Sequence, residues 1–103
     1  MMPDDVSKML LSRLSLKPEG MDSEEFFSIL KEEKVQGFEK LPEDIHKSER
    51  RTKKRNLLML LNKRYLERLE DMGYIQREKV GRRTITKITE SGQYIAHVSG
   101  LMK

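Results

Sequence analysis

The sequence of 103 residues contains no cysteine and no tryptophan. Without cysteine the chain has no disulfide bonds and no thiolate metal sites, which is typical of a protein from a reducing compartment. No apolar run approaches the roughly 20 residues needed to cross a bilayer. The N-terminus carries acidic residues directly after Pro3, where a secretory signal would be basic. These absences predict a soluble cytoplasmic protein with no membrane contact.

Groups suited to catalysis or metal binding are also scarce. The two histidines, His46 and His97, lie far apart and lack the spacing of a zinc site. The chain has no glycine-rich phosphate loop, no nucleophile elbow and no carboxylate pair in an apolar setting. The acidic pairs at residues 24–25 and 32–33 fit exposed helix positions. We therefore expect a protein that is not an enzyme and that needs no cofactor and no metal.

Charge is abundant and unevenly distributed along the chain. Hydrophobic residues make up 36% of the sequence, enough for one small core, so residues 1–103 are predicted to form a single domain. Residues 1–46 contain six Lys or Arg against eleven Asp or Glu, a net charge of −5. Residues 47–103 contain fifteen against six, a net charge of +9. This segregation is typical of a protein that binds a phosphate backbone, the alternative being an unevenly charged solvated surface.

Two amphipathic helices are predicted in the acidic half. The first spans residues 6–16, with Asp4 or Asp5 as its N-cap. The second begins after Asp22, whose side chain is placed to cap it, and Glu25 lies where a capping box has a carboxylate. Both helices are expected to turn an apolar face towards the core.

A loop and a long basic helix are predicted next. Residues 37–47 contain glycine, proline and several charges, and Pro42 is also suited to open a short helical turn. The third helix is predicted from about residue 48 to 72, and a break near Asn56 or Asn62, giving two shorter helices, is the alternative. Its predicted core stripe is Leu58, Leu61, Tyr65, Leu69 and Met72.

Beyond Gly73, the expected left-handed C-cap, the apolar period changes from that of a helix to that of a strand. Residues 74–80 and 83–89 are predicted to be two strands joined by a tight turn at Gly81 and Arg82. A short last helix begins at Thr89 or Glu90. The predicted order is therefore three helices, a two-stranded hairpin and a short helix, an α+β fold that is mostly α-helical.

Two motifs resemble winged-helix transcription regulators of the MarR and PadR type. Leu-Glu-Arg-Leu-Glu-Asp-Met-Gly-Tyr-Ile at residues 66–75 resembles the exit of their recognition helix. Thr-Lys-Ile-Thr-Glu-Ser-Gly at residues 86–92 resembles the end of their wing, and a Gly-Arg-Arg hairpin tip lies between the two motifs. The resemblance covers residues 57–98, and residues 1–47 only by helix order. It implies a winged helix that binds double-stranded DNA, as a small transcriptional regulator.

Physical requirements support the assignment of these motifs. Gly73 allows the chain to reverse in a left-handed conformation directly after the helix. Thr89 is placed to cap the last helix, and Gly92 permits that helix to approach the hairpin closely. The glycines and the cap therefore predict a compact junction between the third helix, the wing and the last helix.

Basic residues cluster at the start of the third helix, on its outer side and at the wing tip. Cations at a helix N-terminus oppose the macrodipole, so an external phosphate is expected to hold them. In the resembled families the third helix, about residues 48–72 here, enters the major groove, and the wing tip, residues 79–83, contacts the minor groove or the backbone. We predict sequence-specific DNA binding in which Asn56, Lys63 and Arg64 contact base edges. The full set of predicted contact residues is Arg50, Arg51, Lys53, Lys54, Arg55, Asn56, Lys63, Arg64, Lys79, Arg82 and Arg83.

Two residues of the third helix complicate this prediction. Glu67 lies on the same side and would repel phosphates, while Leu60 either contacts a thymine methyl group or packs against the preceding loop. The alternative function is a winged-helix module that binds protein through its acidic half and has no role on DNA. RNA binding is disfavoured because three Phe, three Tyr and no Trp leave little surface for base stacking.

A homodimer is predicted because two-fold symmetry lets one short domain read two half-sites. Two helices are candidates for the interface between the copies. They are the first helix, with Val6, Met9, Leu10 and Leu14, and the last helix, with Tyr94, Ile95, Val98, Leu101 and Met102.

Overall fold

The computed structural model describes the backbone of residues 3–38 and 47–101 and the side chains of residues 5–38 and 53–98. Its elements are α1 (Pro3–Ser15), α2 (Ser23–Glu32), α3 (Lys47–Leu61), a π-helical segment (Asn62–Leu66), α4 (Glu67–Asp71), β1 (Ile75–Val80), β2 (Arg83–Ile88) and α5 (Glu90–Leu101). We call α3, the π-helical segment and α4 together the long helix, and β1 with β2 the wing. The predicted order of elements and the mostly helical α+β class are confirmed. The predicted loop lies mainly at residues 39–46, outside the described residues.

The core is built where α1, α2 and the long helix meet. Leu10 of α1, Phe26 of α2 and Tyr65 of the long helix are almost completely buried. The rings of Phe27 and Phe38 stack with their centroids 6.4 Å apart. Removing this apolar surface from water is the main favourable contribution to the fold.

Two predictions about α1 are wrong. The helix begins at Pro3, so Asp4 and Asp5 lie inside its first turn and do not precede it as caps. Proline is accommodated there because the first turn leaves backbone N–H groups without helical partners in any case. The apolar stripe predicted as one dimer interface is buried in the chain's own core, and it consists of Val6, Met9, Leu10 and Leu14.

The cap of α2 is confirmed. The backbone N–H of Glu25 donates to Asp22 Oδ1 at 3.0 Å. The Glu25 carboxylate pairs with the ammonium group of Lys17, which ties α2 to the turn after α1. α2 ends at Glu32.

The long helix is continuous but irregular. No break occurs at Asn56, while at Asn62 the chain changes to π-helical hydrogen bonding, with the Glu67 N–H donating to the Asn62 carbonyl. The wider turn alters which side chains face inward beyond this point. The middle of the predicted core stripe is buried, but Leu58 is 36% and Met72 is 54% exposed, so both ends of the stripe are wrong. Leu66, outside the predicted stripe, is buried.

The wing is an antiparallel hairpin whose register runs from Ile75 opposite Ile88 to Val80 opposite Arg83. Each strand is one residue shorter than predicted. The predicted two-residue turn is confirmed, and Gly81 has φ of +64°, as the first central residue of a type II′ turn requires.

A β-bridge beside the wing, formed by Met21 and Thr86, was not predicted from the sequence. The Met21 N–H donates to the Thr86 carbonyl at 2.9 Å, and the Thr86 N–H donates to the Met21 carbonyl at 2.8 Å. Gly20, at φ +95°, permits this approach because a Cβ there would lie only 2.9 Å from the Thr86 carbonyl oxygen. The bridge joins the turn before α2 to the middle of β2.

The predicted junction around Gly73 is confirmed. Gly73 has φ of +80°. Thr89 Oγ1 accepts from the Gly92 N–H at 3.1 Å and donates to the Gly73 carbonyl at 2.6 Å. A Cβ on Gly92 would lie 2.1 Å from the Tyr74 carbonyl oxygen, so only glycine fits there. The junction fixes where the wing leaves the long helix.

Candidate nucleic-acid interface

The predicted contact residues lie on the two elements that the prediction named, the long helix and the wing. The side chains of Arg50 and Arg51 lie outside the described residues, although their backbone is part of α3. Lys54 is half-buried. The remaining predicted residues are exposed, and they are Lys53, Arg55, Asn56, Lys63, Arg64, Lys79, Arg82 and Arg83.

The N-terminal end of α2 lies between the long helix and the wing and holds one cation of each. Lys54 Nζ lies 2.9 Å from Glu24 Oε1. Arg83 Nη2 lies 3.7 Å from Asp22 Oδ2. These two cations are therefore paired within the chain, and a phosphate reaching them would compete with a carboxylate.

Arg64 also has an internal partner. Its Nη1 donates to the backbone carbonyl of Gln36 at 3.1 Å, in the turn after α2. In the same place a Cβ on Gly37 would lie 3.1 Å from Leu60 Cδ2. Leu60 therefore packs against this turn, which was one of its two predicted positions. Arg64 uses one of its donors to bind the same turn.

Six predicted residues remain exposed with no ion pair or side-chain hydrogen bond to any described residue. They are Lys53, Arg55, Asn56 and Lys63 on the long helix, and Lys79 and Arg82 on the wing. We call these the free polar group. Its members can offer their charges and amide to an external ligand without losing a contact to a described residue.

Three of these residues share one side of the long helix with Met59. Arg55, Met59 and Lys63 are spaced by four residues, and Asn56 follows Arg55, so the four side chains form what we call the outer face. Sequence reasoning missed Met59, which is 50% exposed. The signal was available, since an apolar residue opposite the core stripe stands among cations. The exposed Glu67 follows Lys63 by about one turn and ends the outer face with a negative charge.

The position of Glu70 at the C-terminal end of the long helix is explained by its contact with the wing. Arg77 of β1 donates to Glu70 Oε1 at 2.8 Å and to Asn62 Oδ1 at 3.3 Å. Hydrogen bonding to Arg77 lowers the pKa of the Glu70 carboxyl, and the same bond raises the pKa of Arg77. Glu70 therefore secures the wing, which offsets its unfavourable position in the helix macrodipole.

The described residues offer no site for a metal ion. They contain no cluster of three or more His, Cys, Asp or Glu side chains that could ligate one.

Across the described ranges, every helix is too short or too polar to cross a membrane.

Comparison with known proteins identifies the family. No curated protein and no solved structure matches the chain. Residues 7–100 match the family described as the DUF6293 C-terminal winged helix domain, a range that includes α2, the long helix, the wing and both sequence motifs. The match supports the winged helix without supporting the MarR or PadR type in particular. The chain belongs to the DUF6293 C-terminal winged helix domain family, and its fold is a winged helix.

Proposed function

We propose that the protein binds double-stranded DNA, with the outer face of the long helix in the major groove and the wing tip on the minor groove or the backbone. Winged helices typically present these two elements to DNA. The observation that carries the proposal is the free polar group, which lies on these two elements. Arginine and lysine side chains can pair with guanine edges, and asparagine can pair with adenine.

Sequence-specific regulation of transcription is the biological role we propose for this binding. The resemblance of residues 66–75 and 86–92 to MarR and PadR regulators supports this role. We further propose that residues 1–103 act as one domain without catalysis, and that two copies associate through α5. The support for association through α5 is its apolar exposed surface, since Tyr94 is 68% and Val98 is 37% exposed.

Binding of the purified protein to a generic duplex at several salt concentrations tests the proposal. The outer-face variant is Arg55→Ala/Lys63→Ala, and the wing variant is Lys79→Ala/Arg82→Ala. The matched control, Lys8→Ala/Arg68→Ala, also removes two exposed cations, but from α1 and α4 outside the proposed interface. Each phosphate contact contributes about eightfold to the affinity at 0.1 M salt, because log K falls by about 0.9 per contact for each tenfold rise in salt.

We expect micromolar or tighter binding that falls steeply with salt. Each interface variant should bind about 60-fold more weakly at 0.1 M salt, with a salt slope smaller by about two, and the control should change much less. Absence of binding at low salt, or equal losses in all three variants, contradicts the proposal. Capture of a protein partner that is independent of salt would then favour the alternative protein-binding module.

A further inference from the structure

Arg77 connects the wing to the long helix. Its guanidinium bonds to both Asn62 and Glu70, and its side chain is 21% exposed. Asn62 opens the π-helical segment and Glu70 lies in the last turn of α4. One planar side chain thus spans the C-terminal part of the long helix.

Beyond Arg77 the wing is exposed, and its described contact with the body of the chain is the ion pair of Arg83 with Asp22. Residues 78–84 are all exposed. Among the described residues, no side chain in this range hydrogen-bonds to the long helix. A two-stranded hairpin is at best marginally stable by itself in water, so its direction depends on its attachments. Among the described residues, Arg77 makes the last side-chain attachment of β1 before the tip, opposite Thr86, which the bridge to Met21 holds.

The contacts of Arg77 also place it between the two parts of the proposed interface. Asn62 directly precedes Lys63 of the outer face, and its backbone carbonyl closes the wide turn by accepting from the Glu67 N–H. On the wing side, Lys79 follows Arg77 on the same face of β1, since side chains alternate along a strand. Arg77 therefore links a residue next to the outer face to the strand that carries the wing tip.

We propose that Arg77 is a positioning residue, which holds the wing at a fixed angle to the long helix so that the outer face and the wing tip engage one duplex together. This inference rests on the proposed DNA binding. A guanidinium suits the role because its rigid planar donors reach two acceptors at once. Since its charge is paired with Glu70 and its side chain is only 21% exposed, Arg77 acts through the wing and not as a phosphate contact of its own.

The test uses a variant that removes the connection without changing the net charge, Glu70→Gln/Arg77→Met. We expect it to bind a generic duplex up to about 60-fold more weakly at 0.1 M salt, with a salt slope smaller by about two, because Lys79 and Arg82 no longer reach phosphates. Adding Lys79→Ala/Arg82→Ala should then weaken binding less than threefold, compared with about 60-fold in the parent protein. A role confined to stability would leave these two losses equal.

The charge-swapped variant Glu70→Arg/Arg77→Glu provides the rescue. It restores an ion pair at the same net charge, and we expect it to recover part of the lost salt slope. Adding Lys79→Ala/Arg82→Ala to it should again weaken binding, by more than in the neutral variant. Circular dichroism and thermal melting establish that each variant is folded. If the neutral variant does not fold, Arg77→Lys takes its place. Lysine retains a charged partner for Glu70 but lacks the planar second donor, so adding Lys79→Ala/Arg82→Ala should weaken binding less than it does in the parent protein.

The outcomes separate the two proposals. Salt-dependent binding by the parent protein, with additive losses in the folded variants, overturns the role of Arg77 and leaves the DNA-binding function standing. A parent protein that does not bind DNA overturns the function itself. Non-additive losses with recovery in the swapped variant support the positioning role.

Discussion

The cations that face α2 differ from those that face away from it. Lys54 and Arg83 each lie beside a carboxylate at the N-terminal end of α2, at 2.9 Å and 3.7 Å. Lys63 and Arg82, on the same two elements, are exposed and have no charged partner among the described residues. The same residue types on the same elements thus have different electrostatic environments.

This difference shows that exposed basic residues are not equivalent candidates for phosphate contacts. A cation beside a carboxylate is already neutralised, and a phosphate would approach both charges. An unpaired cation can release counterions when it meets a phosphate, which is the main source of non-specific affinity. Asp22 and Glu24 are therefore expected to weaken the proposed DNA binding.

The largest effect is expected when both carboxylates are neutralised. The variant Asp22→Asn/Glu24→Gln should bind a generic duplex more tightly, by up to about 60-fold at 0.1 M salt, because it frees Lys54 and Arg83. Asparagine caps helices as well as aspartate does, so α2 should stay intact. Fluorescence anisotropy with labelled duplex measures the change.

The control for this gain neutralises two acids at the other end of the same helix, Glu32→Gln/Glu33→Gln. A ten-residue helix is about 15 Å long, which exceeds the Debye length of about 10 Å at 0.1 M salt. The control should therefore change the affinity much less. Equal tightening in both variants would show that only net charge matters, and the distinction between paired and unpaired cations would be lost.

A smaller effect separates an unpaired cation from a complete pair. Lys63→Met should weaken binding about eightfold at 0.1 M salt, with a salt slope smaller by about one. Removing a neutral pair by Lys54→Met/Glu24→Gln should change the affinity by less than about twofold by the same reasoning. Lys8→Met controls for the loss of one charge outside the interface. A pair deletion as damaging as Lys63→Met would refute the contrast.

The smallest effect concerns stability, where the pair of Glu70 and Arg77 differs from the more exposed pair of Glu24 and Lys54. Arg77 lowers the pKa of Glu70 in the folded protein below the ordinary value of 4.5, so the pair stabilises the fold above that pH. This stability should be lost as the pH falls through the lowered pKa. Urea unfolding between pH 7 and pH 3 should show a larger loss for the parent protein than for Glu70→Gln. In contrast, Glu24→Gln should change the free energy of unfolding at pH 7 by less than about 1 kcal/mol. Identical pH profiles for the parent protein and Glu70→Gln would contradict the role of the pair.

The parts of the fold that could be predicted from sequence are those set by local backbone constraints. Gly73 and Gly92 were assigned correctly because a left-handed turn and a close helix approach have few alternatives. The cap at Asp22 and the turn at Gly81 were predictable for the same reason. Helix order and the change to a strand period then followed from apolar spacing.

The features that sequence did not predict depend on contacts between distant segments. The strand position at Met21 is one residue long and has no alternating pattern to detect. The wide turn at Asn62 shifts the buried stripe beyond it, so Met72 was misplaced. In the proposed interface, the exposure of the basic residues was predictable, but the pairing of two of them with Glu24 and Asp22 was not, because those partners lie in the other half of the chain.

The bridge between Met21 and Thr86 limits how the wing acquires its shape during folding. Its two residues lie near opposite ends of the chain, and closing so long a loop loses conformational entropy before any contact compensates for it. Small proteins that depend on contacts of such high sequence separation fold slowly. The hairpin should therefore become rigid only when the whole chain has folded. A fragment limited to the basic half would retain most of the positive charge and the contacts of Arg77, but it would lose the bridge that holds the middle of β2.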